Sequence, residues 1–164
     1  MAKEIERKFL VTSDAFKALA TPTHYRQGYV PTLNGMTVRI RIAGTQGYVT
    51  FKDHAVNLTR HEFEYPIPEE DGLQMLDLMC ATPQIDKQRY VIPTTGQLPD
   101  GTPIEGLHWE VDVFGGVNEG LVVAEIELPC EEATFDKPAW IGQEVTQDHR
   151  YYNSALCKNP FKNW

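Results

Sequence analysis

Along much of the chain apolar and polar residues alternate one by one, the rhythm of β-strands whose successive side chains point to opposite faces. The polar half of that alternation is charged almost throughout. The first stretch, residues 2–11, sets Glu4, Glu6 and Lys8 on one face and Ile5, Phe9 and Val11 on the other. Such a strand either lies at the surface with its charges in water or turns them toward a polar interior, and one strand does not decide between these.

The pattern recurs with both signs of charge. Arg39 and Arg41 alternate with Val38, Ile40 and Ile42, and Lys52 opposes Val49 and Phe51. Glu62 and Glu64 stand against Phe63 and Tyr65, while Lys87 shares a face with Arg89. Glu110 and Asp112 alternate with Trp109, Val111 and Val113, and Glu125 and Glu127 with Ala124, Ile126 and Leu128. Seven strands therefore carry one design, and residues 25–30 read as an eighth. On a closed or strongly curved sheet the like-patterned faces converge, bringing together eight carboxylates and six bases while the apolar faces point outward.

Between the strands the signals are local. Asn34-Gly35 and residues 44–47 mark hairpins on either side of the arginine strand, and residues 115–120 join the last two charged strands, so neighbours in sequence pair antiparallel. Residues 12–19 predict a short helix with Phe16 and Leu19 turned inward. Residues 68–79 predict another, with Glu69, Glu70 and Asp71 at its positive end and an apolar stripe of Leu73, Leu76, Leu78 and Met79. Residues 150–157 predict a third, and residues 53–60 a loop. The Pro-, Gly- and Thr-rich run 93–106 is an excursion rather than a linker, because the charged alternation resumes at Trp109. One domain, 1–164, is expected.

The first strand reads Glu4-x-Glu6-x-Lys8, and Arg39-x-Arg41, Lys52, Glu62-x-Glu64, Lys87-x-Arg89, Glu110-x-Asp112 and Glu125-x-Glu127 follow in order. With these motifs the chain resembles the CYTH domain, the fold of the triphosphate tunnel metalloenzymes, over nearly its whole length. The resemblance implies an α+β, mainly β fold: an eight-stranded antiparallel closed β-barrel with a charged interior, or tunnel, and peripheral helices. It also implies metal-dependent chemistry on triphosphates. Residues 138–153 resemble the closing segment of bacterial stand-alone members.

Burying so many ionisable groups costs several kcal/mol for each unless they pair or bind ions, so function is the better reason for them. Glu4, Glu6, Glu110, Asp112, Glu125 and Glu127 are the expected metal ligands. Clustered carboxylates repel without a cation between them, and an oxygen-only set suits Mg²⁺ or Mn²⁺. Lys8, Arg39, Arg41, Lys52, Lys87 and Arg89 are the expected phosphate binders. Tyr29 and Arg150 are further candidates, with packing and a surface ion pair as their competing readings. Glu62, Glu64 and Lys52 are the catalytic candidates, a carboxylate orienting or deprotonating the attacking water; between the two glutamates the sequence leaves the choice open. Six bases against eight acids leave −2, which two divalent cations and a triphosphate of about −4 to −5 return to near neutrality or slightly below.

Composition narrows the rest. At 164 residues, 41% hydrophobic and 23% charged, the chain is long enough to bury a core. A net charge of −8 argues against a protein that coats nucleic acid, though not against a local basic site. Cys80, Cys130 and Cys157 are widely spaced and odd in number, which suits a reducing cytoplasm; no signal peptide or membrane span is apparent. No glycine cluster follows a strand and opens a helix, so no P-loop is expected. His54 and His61 have no fixed neighbour to give them chemistry. The expected function is metal-dependent hydrolysis of a triphosphate, inorganic triphosphate first because no base-recognition set is evident. The alternatives are a class IV-type adenylate cyclase, a thiamine, nucleoside or RNA 5′-triphosphatase, and a non-catalytic phosphate or polyphosphate binder. The outer apolar face needs cover from helices or a second subunit, so a homodimer is the expected assembly.

Overall fold

A computed structural model describes residues 5–53 and 61–164. Glu4 and His54, and most of the expected loop 53–60, lie outside the described residues. The long strands are β1 (Ile5–Val11), β2 (Thr23–Val30), β3 (Thr37–Ala43), β4 (Gln46–Lys52), β5 (Glu62–Ile67) and β6 (Ile85–Pro93). They are joined, after the two-residue β7 (Gly96–Gln97), by β8 (His108–Phe114), β9 (Val122–Leu128), the short β10 (Thr134–Phe135) and β11 (Ile141–Glu144). Helix α1 (Glu69–Leu78) follows β5, and α2 (Asn153–Lys158) lies near the C-terminus.

Nine strands form one antiparallel sheet in the order β11-β1-β9-β8-β6-β2-β3-β4-β5, and β10 pairs β7 apart from it. This revises the expectation of eight strands. The added member is β11, drawn from the closing segment, whose Ile-Gly-Gln-Glu sequence carries no alternation to announce it. The first and last charged strands do meet, β1 on β9, with Glu6 opposite Glu127 and Lys8 opposite Glu125. The pairings make one large antiparallel sheet, and among the described residues none joins β5 to β11. The chain is mainly β with two helices.

Both hairpins beside β3 follow the turn chemistry. Asn34 and Gly35, in the connection between Val30 and Thr37, take left-handed φ of 60° and 68°, and Gly44 takes 61° in the two-residue turn between β3 and β4. Helix α1 lies across β3 and β4, burying Leu76 against Ile40 and Ile42. It comes close because Gly72 has no side chain: a Cβ there would stand 2.5 Å from Ile42 Cδ1. Leu73 and Leu78 stay exposed, so the buried stripe is Gly72, Met75 and Leu76 rather than the expected one. The first helix shrinks to a single 3₁₀ turn, Ala15–Ala18, with Phe16 fully buried and Leu19 exposed.

The main core covers the outer faces of β1, β9, β8 and β6, where Phe9, Trp109, Ile126, Ala124 and Val111 pack with Phe16 and Trp140. Edge-to-face contacts knit its aromatics, Phe9 to Trp109 at 5.5 Å and Phe16 to Tyr90 at 5.2 Å. A second core lies on the inner face. Ile85 shares a face with Lys87, Phe114 with Asp112 and Val123 with Glu125, yet all three bury apolar surface with Leu121 and with Leu156 of α2. The inner surface is therefore charged over one half and apolar over the other, and α2 fills the apolar end. Among the described residues no helix is long and apolar enough to cross a membrane.

Candidate active site

The charged half of the inner surface encloses a cavity of about 500 Å³. Eight strands contribute to it: Glu6 and Lys8 from β1, Gln27 and Tyr29 from β2, Arg39 and Arg41 from β3, and Lys52 from β4. Glu62 and Glu64 come from β5, Lys87 and Arg89 from β6, Glu110 from β8, and Glu125 and Glu127 from β9. Tyr152, Asn153 and Ser154, at the start of α2, complete the wall. A larger groove of about 1050 Å³ runs beside β11, but Arg7 and Arg150 in it are already bonded to Glu144 and Asp148.

The acids gather on β1, β9 and β8. Register sets Glu6 opposite Glu127 and Glu110 opposite Glu125. Enclosure by the walls and repulsion from Glu125 push the Glu6 carboxyl above its usual range, with Lys8 acting against them. A cation among these oxygens would relieve that repulsion, and the donor set fits a hard divalent ion. Among the described residues no three such side chains are already drawn together as a finished metal site. Lys8, almost wholly buried, reaches Glu125 at 3.1 Å and lies 4.7 Å from the Tyr152 ring centroid.

The bases divide into two groups. Lys87 and Arg89 converge on Asp112: Lys87 Nζ donates to it at 2.8 Å and Arg89 through Nε at 2.7 Å and Nη2 at 2.9 Å. Despite full burial, Lys87 and Arg89 hold the Asp112 carboxyl below its usual range. Burial, with Arg89 alongside, pulls the Lys87 ammonium down. Arg39 and Arg41 instead reach Glu64 only at 3.3 and 3.5 Å, and their buried Nε atoms have no hydrogen-bond partner. Burial and the neighbouring Arg39 lower Arg41. Burial raises Glu64, but the Thr50 hydroxyl, donating at 2.7 Å, and the two arginines outweigh it and keep its carboxyl low. Lys52 approaches Glu62 at 3.4 Å.

Twelve of the sequence-derived charged candidates thus line one cavity. Asp112 does not: its side chain is 1% exposed and its oxygens are taken up by Lys87 and Arg89, so it is a counter-ion behind the wall instead of an expected metal ligand. Arg150 does not either, being bonded to Asp148 at the surface. Tyr29 does line the cavity; His61 lies outside it, bonded to Asp53. With Asp112 withdrawn and Glu4 outside the described residues, the lining holds six acids and six bases, electrically balanced. Thr50, Tyr152 and Asn153 were missed. Thr50 could have been found because it shares a face with Lys52; Asn153, which accepts from Lys87 at 3.2 Å, carries no such signal.

The CYTH domain family model matches residues 2–156. An inorganic triphosphatase of Acetivibrio thermocellus is 48% identical over 164 residues, covering 100% of this chain and 99% of that protein. One of Nitrosomonas europaea is 40% identical over 160 residues, covering 94% and 96%. A solved crystal structure of an inorganic triphosphatase superposes with a TM-score of 0.66 at 34% identity, covering 96% of this chain and 95% of that one.

Proposed function

The chain belongs to the CYTH domain family, and from that premise we propose that it hydrolyses inorganic triphosphate inside the charged cavity with the help of a divalent cation. The observation that carries this reading is the lining itself: six acids balance six bases, and two buried guanidinium nitrogens lack a partner. A triphosphate of about −4 to −5 with two divalent cations would leave such a site near neutral. The full-length likeness to proteins named inorganic triphosphatases supports the same substrate.

Arg39 and Arg41 bind phosphoryl oxygens through the donors that Glu64 leaves under-used, and Lys8, Lys52, Lys87 and Arg89 hold the rest of the chain in line. Glu6, Glu110, Glu125 and Glu127, with Glu4, would hold Mg²⁺ or Mn²⁺. Bound there, the ion would supply Lewis-acid polarisation of the phosphoryl oxygens. Glu64, gripped by three donors and held ionised, is a weak base; Glu62, at the cavity mouth with Lys52, is the better acceptor for the proton of the attacking water. A nucleoside would gain little, since of the lining aromatics Tyr152 already faces Lys8 and Tyr29 stands alone.

Phe51 and Phe63, paired across β4 and β5, and Tyr65 remain exposed on the outer face, an apolar patch that a homodimer would cover. Three free thiols suit a cytoplasmic protein. Turnover of inorganic triphosphate and ATP at equal free Mg²⁺ or Mn²⁺, following phosphate, pyrophosphate and cyclic AMP, tests the function. The expected result is a higher kcat/KM for inorganic triphosphate and none without metal. Cyclic AMP as the main product or a clear ATP preference would overturn it, and no turnover of either would favour the binder.

A further inference from the structure

Strand β2 runs between the two basic strands, β3 on one side and β6 on the other. Its Tyr25 is opposite Lys87 on β6 and Ala43 on β3, which makes Arg89 and Arg41 its diagonal neighbours on the same face. All three cations lie over its ring, Arg89 at 4.8 Å, Arg41 at 5.7 Å and Lys87 at 5.8 Å from the centroid. Tyr25 is not among the residues that line the cavity, whereas those three bases are. An aromatic ring thus stands behind the basic wall at the point where its two halves meet.

Three like charges around one centre repel, and each loses hydration as it is enclosed. The electron-rich face of an aromatic ring attracts a cation without neutralising it, so it can hold several cations together and leave their charge available to an anion. A carboxylate in the same place would satisfy them, as Asp112 does on the far side of Lys87 and Arg89. Arg41 depends on aromatic faces most: it lies between Tyr25 and Tyr48, the latter 5.2 Å away, and its contact with Glu64 is long.

We propose that Tyr25 is a positioning residue for triphosphate binding, its ring joining Arg41, Lys87 and Arg89 into one phosphate-binding surface across two strands. The proposal rests on the triphosphate reading of the cavity. Because the ring acts through groups that bind phosphate in the ground state and the transition state alike, its loss shows mainly in KM.

The test replaces the ring in steps and measures both the steady-state kinetics and the binding of inorganic triphosphate without metal. Tyr25→Phe keeps the ring and is expected to stay within about twofold of wild type, whereas Tyr25→Leu raises KM about tenfold and changes kcat by less than about threefold. Tyr48→Leu, which strips one cation of one ring, has a smaller effect than Tyr25→Leu. Should Tyr25→Leu fail to fold, phenylalanine, difluorophenylalanine and pentafluorophenylalanine at position 25 keep the shape and progressively remove the negative face. Affinity for triphosphate then falls stepwise along that series while the melting temperature does not follow it. Equal impairment in Tyr25→Phe and Tyr25→Leu, or affinity flat across the fluorinated series, overturns the proposal. A wild-type protein that prefers ATP overturns the triphosphatase reading, and the same series is then judged on the KM for ATP; a wild type that binds neither overturns both.

Discussion

Two ion clusters on the cavity wall begin from the same sequence rhythm and end differently. Around Asp112, Lys87 and Arg89 make three bonds of 2.7 to 2.9 Å, and the Asp112 side chain is 1% exposed. Around Glu64, Arg39 and Arg41 make contacts of 3.3 and 3.5 Å, and both arginines keep an orphaned Nε. The first network seals Asp112 between β6 and β8, and Arg89 Nη1 extends it to Glu110 at 2.7 Å. The second faces the cavity with long contacts and two unpartnered donors, and each unmade bond to a buried donor is a cost left standing there. What separates the sealed carboxylate from the open one here is completeness of pairing, not charge type or spacing.

Breaking the closed cluster should have the largest effect. Asp112→Ala strands Lys87 and Arg89 without their counter-ion, and we expect a loss of about 3–5 kcal/mol in urea denaturation. A variant of wild-type stability would show that the cluster is as open as its counterpart. Next, Glu6→Gln and Glu127→Gln keep size but remove charge from the acid side; each should slow turnover about a hundredfold and raise the Mg²⁺ requirement, with the melting temperature unchanged, since a polarising metal supplies several kcal/mol. Wild-type metal dependence in both would remove these acids from the site.

The open cluster should respond in kinetics alone. Arg39→Ala and Arg41→Ala should each cost about 1.5–3 kcal/mol in kcat/KM for triphosphate, the range for a hydrogen bond to a charged group. With mutual repulsion relieved, the unliganded protein should melt no lower. Unchanged kinetics with a lower melting temperature would make the arginines structural and erase the contrast. The smallest effect belongs to the surface pair Arg7–Glu144. The Arg7 guanidinium holds the Glu144 carboxyl at about 2, below its ordinary 4.5. That lowering contributes stability above pH 4.5 and loses it as pH falls through about 2. Glu144→Gln should cost under about 1 kcal/mol at neutral pH, because the pair is part-exposed, and flatten the acid limb of the stability profile.

The alternation exposed most of the sheet and nearly all of the lining, because period two assigns faces whatever the tertiary fold. It could not assign depth. Glu110 and Asp112 are two residues apart on one face, yet one lines the cavity and the other is sealed behind two bases. Nor could it show that Ile85, Phe114 and Val123, on the charged face, are buried, since their burial depends on Leu156 arriving from far along the chain. Leu19 read as buried by helical spacing and is exposed because the helix stops at one 3₁₀ turn. Tyr25 reads as an ordinary strand aromatic until β3 and β6 are known to flank it.

Strand β1 has both of its partners, β9 and β11, at the far end of the chain, with Ile5 opposite Leu128 and Phe9 opposite Glu144. During synthesis, then, β1 waits for partners made long after it. A nascent chain that has emerged only through Gly120 already carries the β2–β3–β4–β5 meander with its arginines, but the acid side has no β9 to form against. Pairings so distant in sequence close slowly, since most of the loop entropy must be lost before they are rewarded. Until α2 has been made, Lys8 also lacks Tyr152 and Lys87 lacks Asn153. Competence for chemistry therefore arrives late, and a chain cut short before Tyr152 carries a basic surface with no finished site to hold it.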